Sequence, residues 1–322
     1  MNAFVARHGR LPLVLLVLVA LAVAACTDSS GSTAGASSPS AATSMAPESM
    51  GPESMGPESP GTESAAPIAG GLLEQVLEAG VIRMSTDPEY PPQSSLAADG
   101  TYEGFDIDVG TEIAKRLGVE IEFSTPSWEA LTAGNWNGRW DFSVGSMTIT
   151  TDRERVIAFT EPYYYTPAQM SVHADSTIAS VAELTGQRVC VGAATTYQQW
   201  IDGTLDFGTK TPDAAPEGIT VVSLPTDRNC AEAWQAGRED FEGWLSSSTT
   251  VQGAVDEGLP VKAIGDPVFA EPLAVAFDKA GPDPSDMVTR VNAILEEMRA
   301  DGTLASLSEK WFGEDLTNPA AE

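Results

Sequence analysis

Cations are scarce in this chain of 322 residues: 17 Lys and Arg stand against 46 Asp and Glu, for a formal net charge of −29. Such a surface repels phosphate backbones and anionic headgroups, which argues against nucleic-acid binding and against peripheral adsorption to membranes. Histidine is scarcer still, with only His8 and His173. Metal chemistry therefore has no ligand-spaced cluster to stand on, and no cofactor is expected. No Gly-rich phosphate loop of the Walker kind is present. The three cysteines, Cys26, Cys190 and Cys230, have few cationic neighbours available, so a thiolate nucleophile is disfavoured. Past residue 25 no apolar run approaches the roughly 20 residues that a bilayer span needs.

What is there begins with an address. Arg7 and Arg10 precede an almost unbroken run of Leu, Val and Ala over residues 11–23, followed by Ala24-Ala25-Cys26. A short apolar core behind a basic start, ending in small residues, reads as a secretory signal peptide over residues 1–25. Cysteine directly after the small residues resembles the bacterial lipobox, in which the sulfur takes a diacylglyceryl group before cleavage. That resemblance implies a mature chain lipid-anchored through Cys26 to the outer face of the cell membrane. Anchoring of this kind draws on about 0.8 kcal/mol per buried methylene. An ordinary secretory signal with an incidental cysteine is the alternative. Loss of Arg7 and Arg10 takes the net charge from −29 to −31. With Cys26 assigned to lipid, Cys190 and Cys230 form an even pair in an oxidising compartment. A disulfide is the favoured reading, its loop of about 40 residues contributing on the order of 3–4 kcal/mol. Two separate buried thiols are the other.

Residues 26–71 are Ser, Ala, Gly, Pro, Thr and Glu with hardly a bulky side chain, and they carry a five-residue Ser-Met-Gly-Pro-Glu repeat. This composition buries too little apolar surface to offset the entropy of ordering, so the segment reads as a disordered tether. From Leu72 to Gly313 the composition turns globular. Strand patterns over Val81–Ser85, 119–123, 141–145, 188–191 and 220–223 alternate with helical patterns over Phe105–Leu117, 128–136, 230–236 and 287–300. A capping-box pattern, Ser180 to Glu183, announces a short helix between them. The alternation indicates an α/β fold with largely parallel sheets.

The motifs narrow this further. Thr86-Asp87-Pro88-Glu89-Tyr90-Pro91-Pro92 is followed by Gly104-Phe105-Asp106-Ile107-Asp108. Then come Ser146-Met147-Thr148 through Asp152-Arg153, Phe159-Thr160-Glu161-Pro162-Tyr163, Gly186-Gln187-Arg188-Val189 leading to Ala194-Thr195-Thr196, Asp301-Gly302-Thr303-Leu304, and Lys310-Trp311-Phe312-Gly313. In order and spacing the set resembles the family 3 extracellular solute-binding proteins, the polar-amino-acid receptors of ABC importers. The resemblance implies the two-lobed periplasmic-binding-protein type II fold. Lobe one would hold residues 72–167 and 271–313, lobe two 168–270, with a tail over 314–322. Hinge crossings would lie near 166–170 and 269–273. It also implies a monomer that captures a small carboxylate-bearing solute, an amino acid or a relative, and hands it to an ABC permease.

Chemistry and resemblance meet at particular residues. A carboxylate ligand calls for a permanently charged, forked donor, and Arg153 stands where the family clamps the ligand's α-carboxylate. Arg155 reads as its surface companion, and an Arg153 paired with Asp152 or Glu154 on the surface is the structural alternative. Thr148 and Thr196 match positions that supply hydroxyl or backbone donors to the same carboxylate, and Ser146 and Thr195 beside them are further ligand-binding candidates. Thr195 and Thr196 open a helix whose free N–H groups favour an anion, although simple capping would place them equally well. Tyr90 and Trp128 fall where the family sets aromatics against the ligand, and Asp87 is a support or an amine contact.

Two departures stand out. The family often presents an Asp in lobe two for the ligand's ammonium, and here the count lands on Leu245 or Ser247, neither acidic, leaving the amine end unexplained with Ser247 as the candidate ligand contact there. Gln93 stands where Phe commonly follows the Pro-Pro pair. Two other function classes remain on the same fold: an exported cyclohexadienyl dehydratase-like enzyme, with Asp87, Glu89, Asp106 and Glu161 as its available carboxylates, and a ligand-sensing receptor domain.

Overall fold

The computed structural model describes residues 70–208 and 211–319. The signal segment, Cys26 and the tether up to residue 69 lie outside the described residues. Among those described, no helix is long and apolar enough to cross a membrane.

Helix α1 (Leu72–Ala79) leads into strand β1 (Val81–Ser85). A small antiparallel meander follows: β2 (Glu89–Tyr90), β3 (Ser94–Leu96) and β4 (Tyr102–Glu103). Next come α2 (Phe105–Leu117), β5 (Glu120–Ser124), α3 (Trp128–Thr132), β6 (Phe142–Thr148), β7 (Ile157–Phe159) and the long β8 (Tyr164–His173). They are followed by β9 (Arg188–Gly192), α4 (Thr196–Ile201), β10 (Thr220–Leu224), α5 (Arg228–Gln235), β11 (Gly243–Ser247) and α6 (Ser248–Asp256). The last elements are β12 (Val261–Ala263), the long β13 (Phe269–Asp278), α7 (Ser285–Ala300) and α8 (Thr303–Phe312).

The main sheet runs in the order β10-β9-β11-β8-β13-β6-β1-β5. At one end β5, β1 and β6 are parallel, and at the other β10, β9 and β11 are. Between them β8 and β13 pair antiparallel, from Phe269 opposite Ala168 to Leu273 opposite Tyr164. Parallel strands need apolar cover on both faces, and each set gathers its own core. Lobe one packs Ile82, Met84, Phe142 and Val144 against the α2 stripe of Phe105, Val109 and Ile113 and against Met287, Val291 and Ile294 of α7. Lobe two packs Met170, Val172, Val189, Val191, Trp200 and Leu245. Helices α7 and α8 thus rejoin the first core after the chain has left it through β8 and returned through β13. Beside the second core, Cys190 of β9 and Cys230 of α5 form a disulfide amid Trp234 and Trp244.

Helix α2 keeps the bounds its pattern suggests. Asp106 and Asp108 complement the dipole of its first turn, Lys115 and Arg116 that of its last, and Gly118 ends it in the left-handed region at φ 79°. Helix α3 is shorter than its pattern. It stops at Thr132 because Gly134 and Asn135 turn to positive φ, and the Asp278 carboxylate accepts the N–H groups of Asn135 (3.0 Å) and Trp136 (2.5 Å). A side chain 142 residues away thus overrides local propensity. The Ser180 box yields a single 3₁₀ turn, Val181–Leu184, in which Ser180 Oγ donates to Glu183 Oε1 at 2.8 Å.

Candidate functional site

In open α/β sheets the space beyond the carboxyl ends of parallel strands is where ligands bind. Here those ends supply the lining of one cleft shared by both lobes: Asp87 and Tyr90 after β1, Trp128 after β5, Ser146 and Thr148 at the end of β6, Thr195 and Thr196 after β9, and Asp227 after β10. The cleft holds about 500 Å³ of atom-free space, its mouth included. Arg153 and, from strand β13 between the lobes, Glu271 complete its charged groups.

Arg153 opens a single 3₁₀ turn after β6 and is only 4% exposed. Its Nη1 donates to the Thr148 carbonyl at 2.9 Å, and its Nη2 reaches across to the Ala194 carbonyl at 3.3 Å. The Trp128 ring lies 5.3 Å from the guanidinium carbon, and Trp128 Nε1 donates to the same Ala194 carbonyl at 3.2 Å. Ala194 takes φ 59° to present that carbonyl, a left-handed conformation that costs a residue with a Cβ on the order of 1 kcal/mol or more. Burial pulls the Arg153 pKa down to about 10, opposed by the negative charge of Glu271. Arg155 is instead a surface residue, paired with Asp152 at 3.1 Å.

The threonines are placed in the cleft, but their hydroxyls point to a protein carboxylate. Thr148 Oγ1 donates to Glu271 Oε1 at 2.8 Å, Thr196 Oγ1 donates to the same oxygen, and Tyr197 OH donates to Oε2 at 2.7 Å. Burial raises the Glu271 pKa, and these three hydroxyls hold it back. Thr195 caps α4, donating to the Gly192 carbonyl at 2.8 Å and accepting from the Gln198 amide at 3.4 Å. That helix is only six residues long, so its dipole is small. Ser146, at φ 54°, is anchored from behind: its hydroxyl donates to Asp106 Oδ2 at 2.7 Å, and Tyr163 OH donates to Oδ1 at 2.6 Å. Burial pushes the Asp106 pKa up to about 7.

The lobe-two acid sought near Leu245 or Ser247 sits elsewhere. Leu245 is in the core, and Ser247 Oγ lies outside the cleft lining, where it accepts hydrogen bonds from Tyr90 OH (3.1 Å) and Gln93 Nε2 (3.2 Å). Asp227 is the buried lobe-two carboxylate in the cleft. Its Oδ1 accepts the Gly192 N–H at 2.7 Å, and a Cβ on Gly192 would lie 2.7 Å from that oxygen, so only glycine admits the approach. Burial pushes Asp227 up to about 7, and the charges of Glu271 and Asp87 push the same way. Asp87 enters from lobe one, its Oδ1 accepting the Glu89 N–H at 2.8 Å, and burial raises its pKa as well. Two carboxylates from opposite lobes therefore repel one another across the cleft.

A family model for bacterial extracellular solute-binding proteins, family 3, matches residues 82–314. The chain belongs to this family.

Its relatives are binding proteins. The L-cystine-binding protein TcyJ of Escherichia coli K12 is 29% identical over 251 residues, which cover 77% of this chain and 88% of that protein. The histidine-binding periplasmic protein of Salmonella typhimurium is 33% identical over 242 residues, covering 73% and 88%. Among solved structures, the ancestral amino acid-binding protein AncCDT-1, a precursor of cyclohexadienyl dehydratase, matches with a TM-score of 0.64 at 27% identity, over 74% of this chain and 99% of that one. The fold is the two-lobed periplasmic type II architecture.

Within this family 3 binding protein, sequence reasoning passed over Asp227, Glu271 and Tyr197. Asp227 has one available signal: it stands in the short loop past a strand pattern, at the carboxyl end where α/β sites form. Glu271 lies inside the expected second hinge segment, 269–273, where the resemblance implies only a connection.

Proposed function

We propose that this protein captures a free amino acid outside the membrane, closes residues 72–167 with 271–313 against residues 168–270 around it, and delivers it to an ABC permease. One observation carries the reading: a single buried guanidinium, Arg153, shares the cleft with two carboxylates, Asp87 and Asp227, contributed by opposite lobes. An α-carboxylate on Arg153 gains a charge-assisted, forked partner. An α-ammonium between Asp87 and Asp227 relieves their repulsion, so the zwitterion favours the closed lobes through its own differential affinity. Hinge closure of binding proteins is a well-characterised behaviour of such folds. Thr148 and Thr196 act in this scheme by holding Glu271, while Tyr90 and Trp128 wall the ligand's side chain. Lipid on Cys26 would keep the monomer at the outer face of the membrane.

Catalysis finds less support. Of the acids open to a dehydratase reading, Glu89 and Glu161 are exposed, and Asp106 lies behind Ser146 with both oxygens hydrogen-bonded. Only Asp87 lines the cleft. A thermal-shift screen of the purified protein against the common amino acids tests the proposal. A ligand-dependent rise in melting temperature for one or a few of them is the expected result, by mass action. No shift with any amino acid, together with turnover of a prephenate-like acid, would overturn it.

A further inference from the structure

The Gln93 side chain is completely buried, yet it does not line the cleft. It crosses from lobe one to the start of α6 in lobe two. Its Nε2 donates to Thr249 Oγ1 at 2.7 Å and to Ser247 Oγ at 3.2 Å, and its Oε1 accepts from Thr250 Oγ1 at 3.4 Å. Its backbone is fixed with equal care. The Gln93 carbonyl accepts the Asp106 N–H at 2.9 Å, at the first turn of α2, and a Cβ on Gly104 would come within 2.2 Å of that carbonyl. Gly104, at φ 134°, is therefore the residue that lets the α2 terminus seat against Gln93. Alongside, the ideal Cβ position of Gly253 on α6 lies 3.4 Å from Pro92, so the two backbones approach closely where Gln93 crosses.

We propose that Gln93 is a positioning residue that sets ligand affinity without touching the ligand, by latching lobe one to lobe two in the closed state. The proposal rests on the amino-acid-binding reading of the cleft. All three partners belong to lobe two, at the head of α6 beside the hinge strand, where Ser247 pairs with Ala168, and on this proposal opening of the lobes breaks their bonds to Gln93. Opening exposes the amide and the three hydroxyls to water, which replaces their bonds. The latch therefore enters the closed-state population, and apparent affinity scales with that population for every ligand alike. The position that breaks the family pattern of sequence is thus one that bridges the lobes.

Gln93→Met keeps the volume and removes all three bonds, and Thr249→Val removes the shortest of them from the other lobe. Calorimetric titration of the full chain against L-histidine, L-arginine, L-glutamine and L-cystine measures the consequence. Each substitution should weaken every ligand that binds by the same factor, roughly 5- to 30-fold, leaving their ranking unchanged. The double variant should be little worse than Gln93→Met alone. A second readout needs no ligand. The Thr151 N–H bonds to the Asp206 carbonyl across the lobes at 3.0 Å, and its hydrogen exchange should quicken in both variants. Unchanged affinity and unchanged Thr151 exchange would overturn the latch, as would a change in ligand ranking, which would mean that Gln93 contacts the ligand. If Gln93→Met does not fold, Thr249→Val decides the matter alone. If none of the four ligands binds but the exchange effect appears, the latch stands, and the thermal-shift screen of the common amino acids decides the binding reading.

Discussion

Where Gln93 meets Ser247, Thr249 and Thr250, every group is neutral and finds its partner inside the protein. Where Arg153, Asp87, Asp227 and Glu271 converge, three carboxylates face one guanidinium. Both clusters join the two lobes, and both bury polar groups at a cost that only hydrogen bonds or opposite charges offset. The neutral cluster offsets that cost by itself and so acts on closure whatever is bound. On the proposed reading the charged cluster takes a cation between Asp87 and Asp227, and so decides what is bound. Affinity and selectivity thereby fall to different residues.

The most severe way to break this division is Arg153→Ala. It removes the only cation among the described residues that line the cleft and leaves the Ala194 and Thr148 carbonyls without that donor. Binding of any amino acid should fall by about 100-fold or more while the fold persists, measured by calorimetry and circular dichroism. Asp227→Asn comes next. Losing the ammonium partner should weaken binding roughly 10- to 100-fold, and it should do so unevenly between amino acids and their des-amino analogues, unlike the latch variants.

A pH titration sharpens the same contrast. Asp227 has a folded pKa of about 7 against an ordinary 3.8, raised by burial and by facing Glu271 and Asp87, with Arg153, Tyr90 and Tyr197 as the other titratable groups around it. Because the folded value is the higher one, the unliganded protein loses stability as pH climbs from the unfolded pKa toward the folded one, and the loss is complete above it. An incoming ammonium binds the ionised form. Affinity should therefore rise by up to about tenfold per pH unit between about pH 5.5 and 7, then level off. The profile should flatten in Asp227→Asn and keep its shape in Gln93→Met. The smallest effect belongs to Arg155→Ala. This exposed member of the Asp152 pair should change affinity by less than about twofold.

Local patterns carried the fold far. The α2 boundaries follow from Phe105, Val109 and Ile113 on one stripe and from Gly118 as a stop, and β1 was legible as a short apolar run. What failed locally was decided at a distance, as in α3, where Asp278 captures the backbone that its pattern would have kept helical. The site divides in the same way. Arg153, Thr148, Thr196, Tyr90, Trp128 and Asp87 sit in motifs that fix their place after a strand, and all of them line the cleft. Asp227 and Glu271 carry no local mark of burial. An acid's environment comes from what packs over it, here Gly192 for one and the hydroxyls of Thr148, Thr196 and Tyr197 for the other. Ser247 shows the converse. Its position in the chain suggested a ligand contact, and tertiary packing gave it to Gln93 and Tyr90.

The central claim is that a zwitterion spans the lobes, with its carboxylate on Arg153 and its ammonium between Asp87 and Asp227. Calorimetric titration of the best-binding amino acid near pH 6.5, repeated in buffers of different ionisation enthalpy, tests it most directly. The account predicts release of a substantial fraction of a proton per ligand bound, lost in Asp227→Asn, and much weaker binding of the des-amino analogue with no such release. Tight binding of that analogue with no proton released would contradict it.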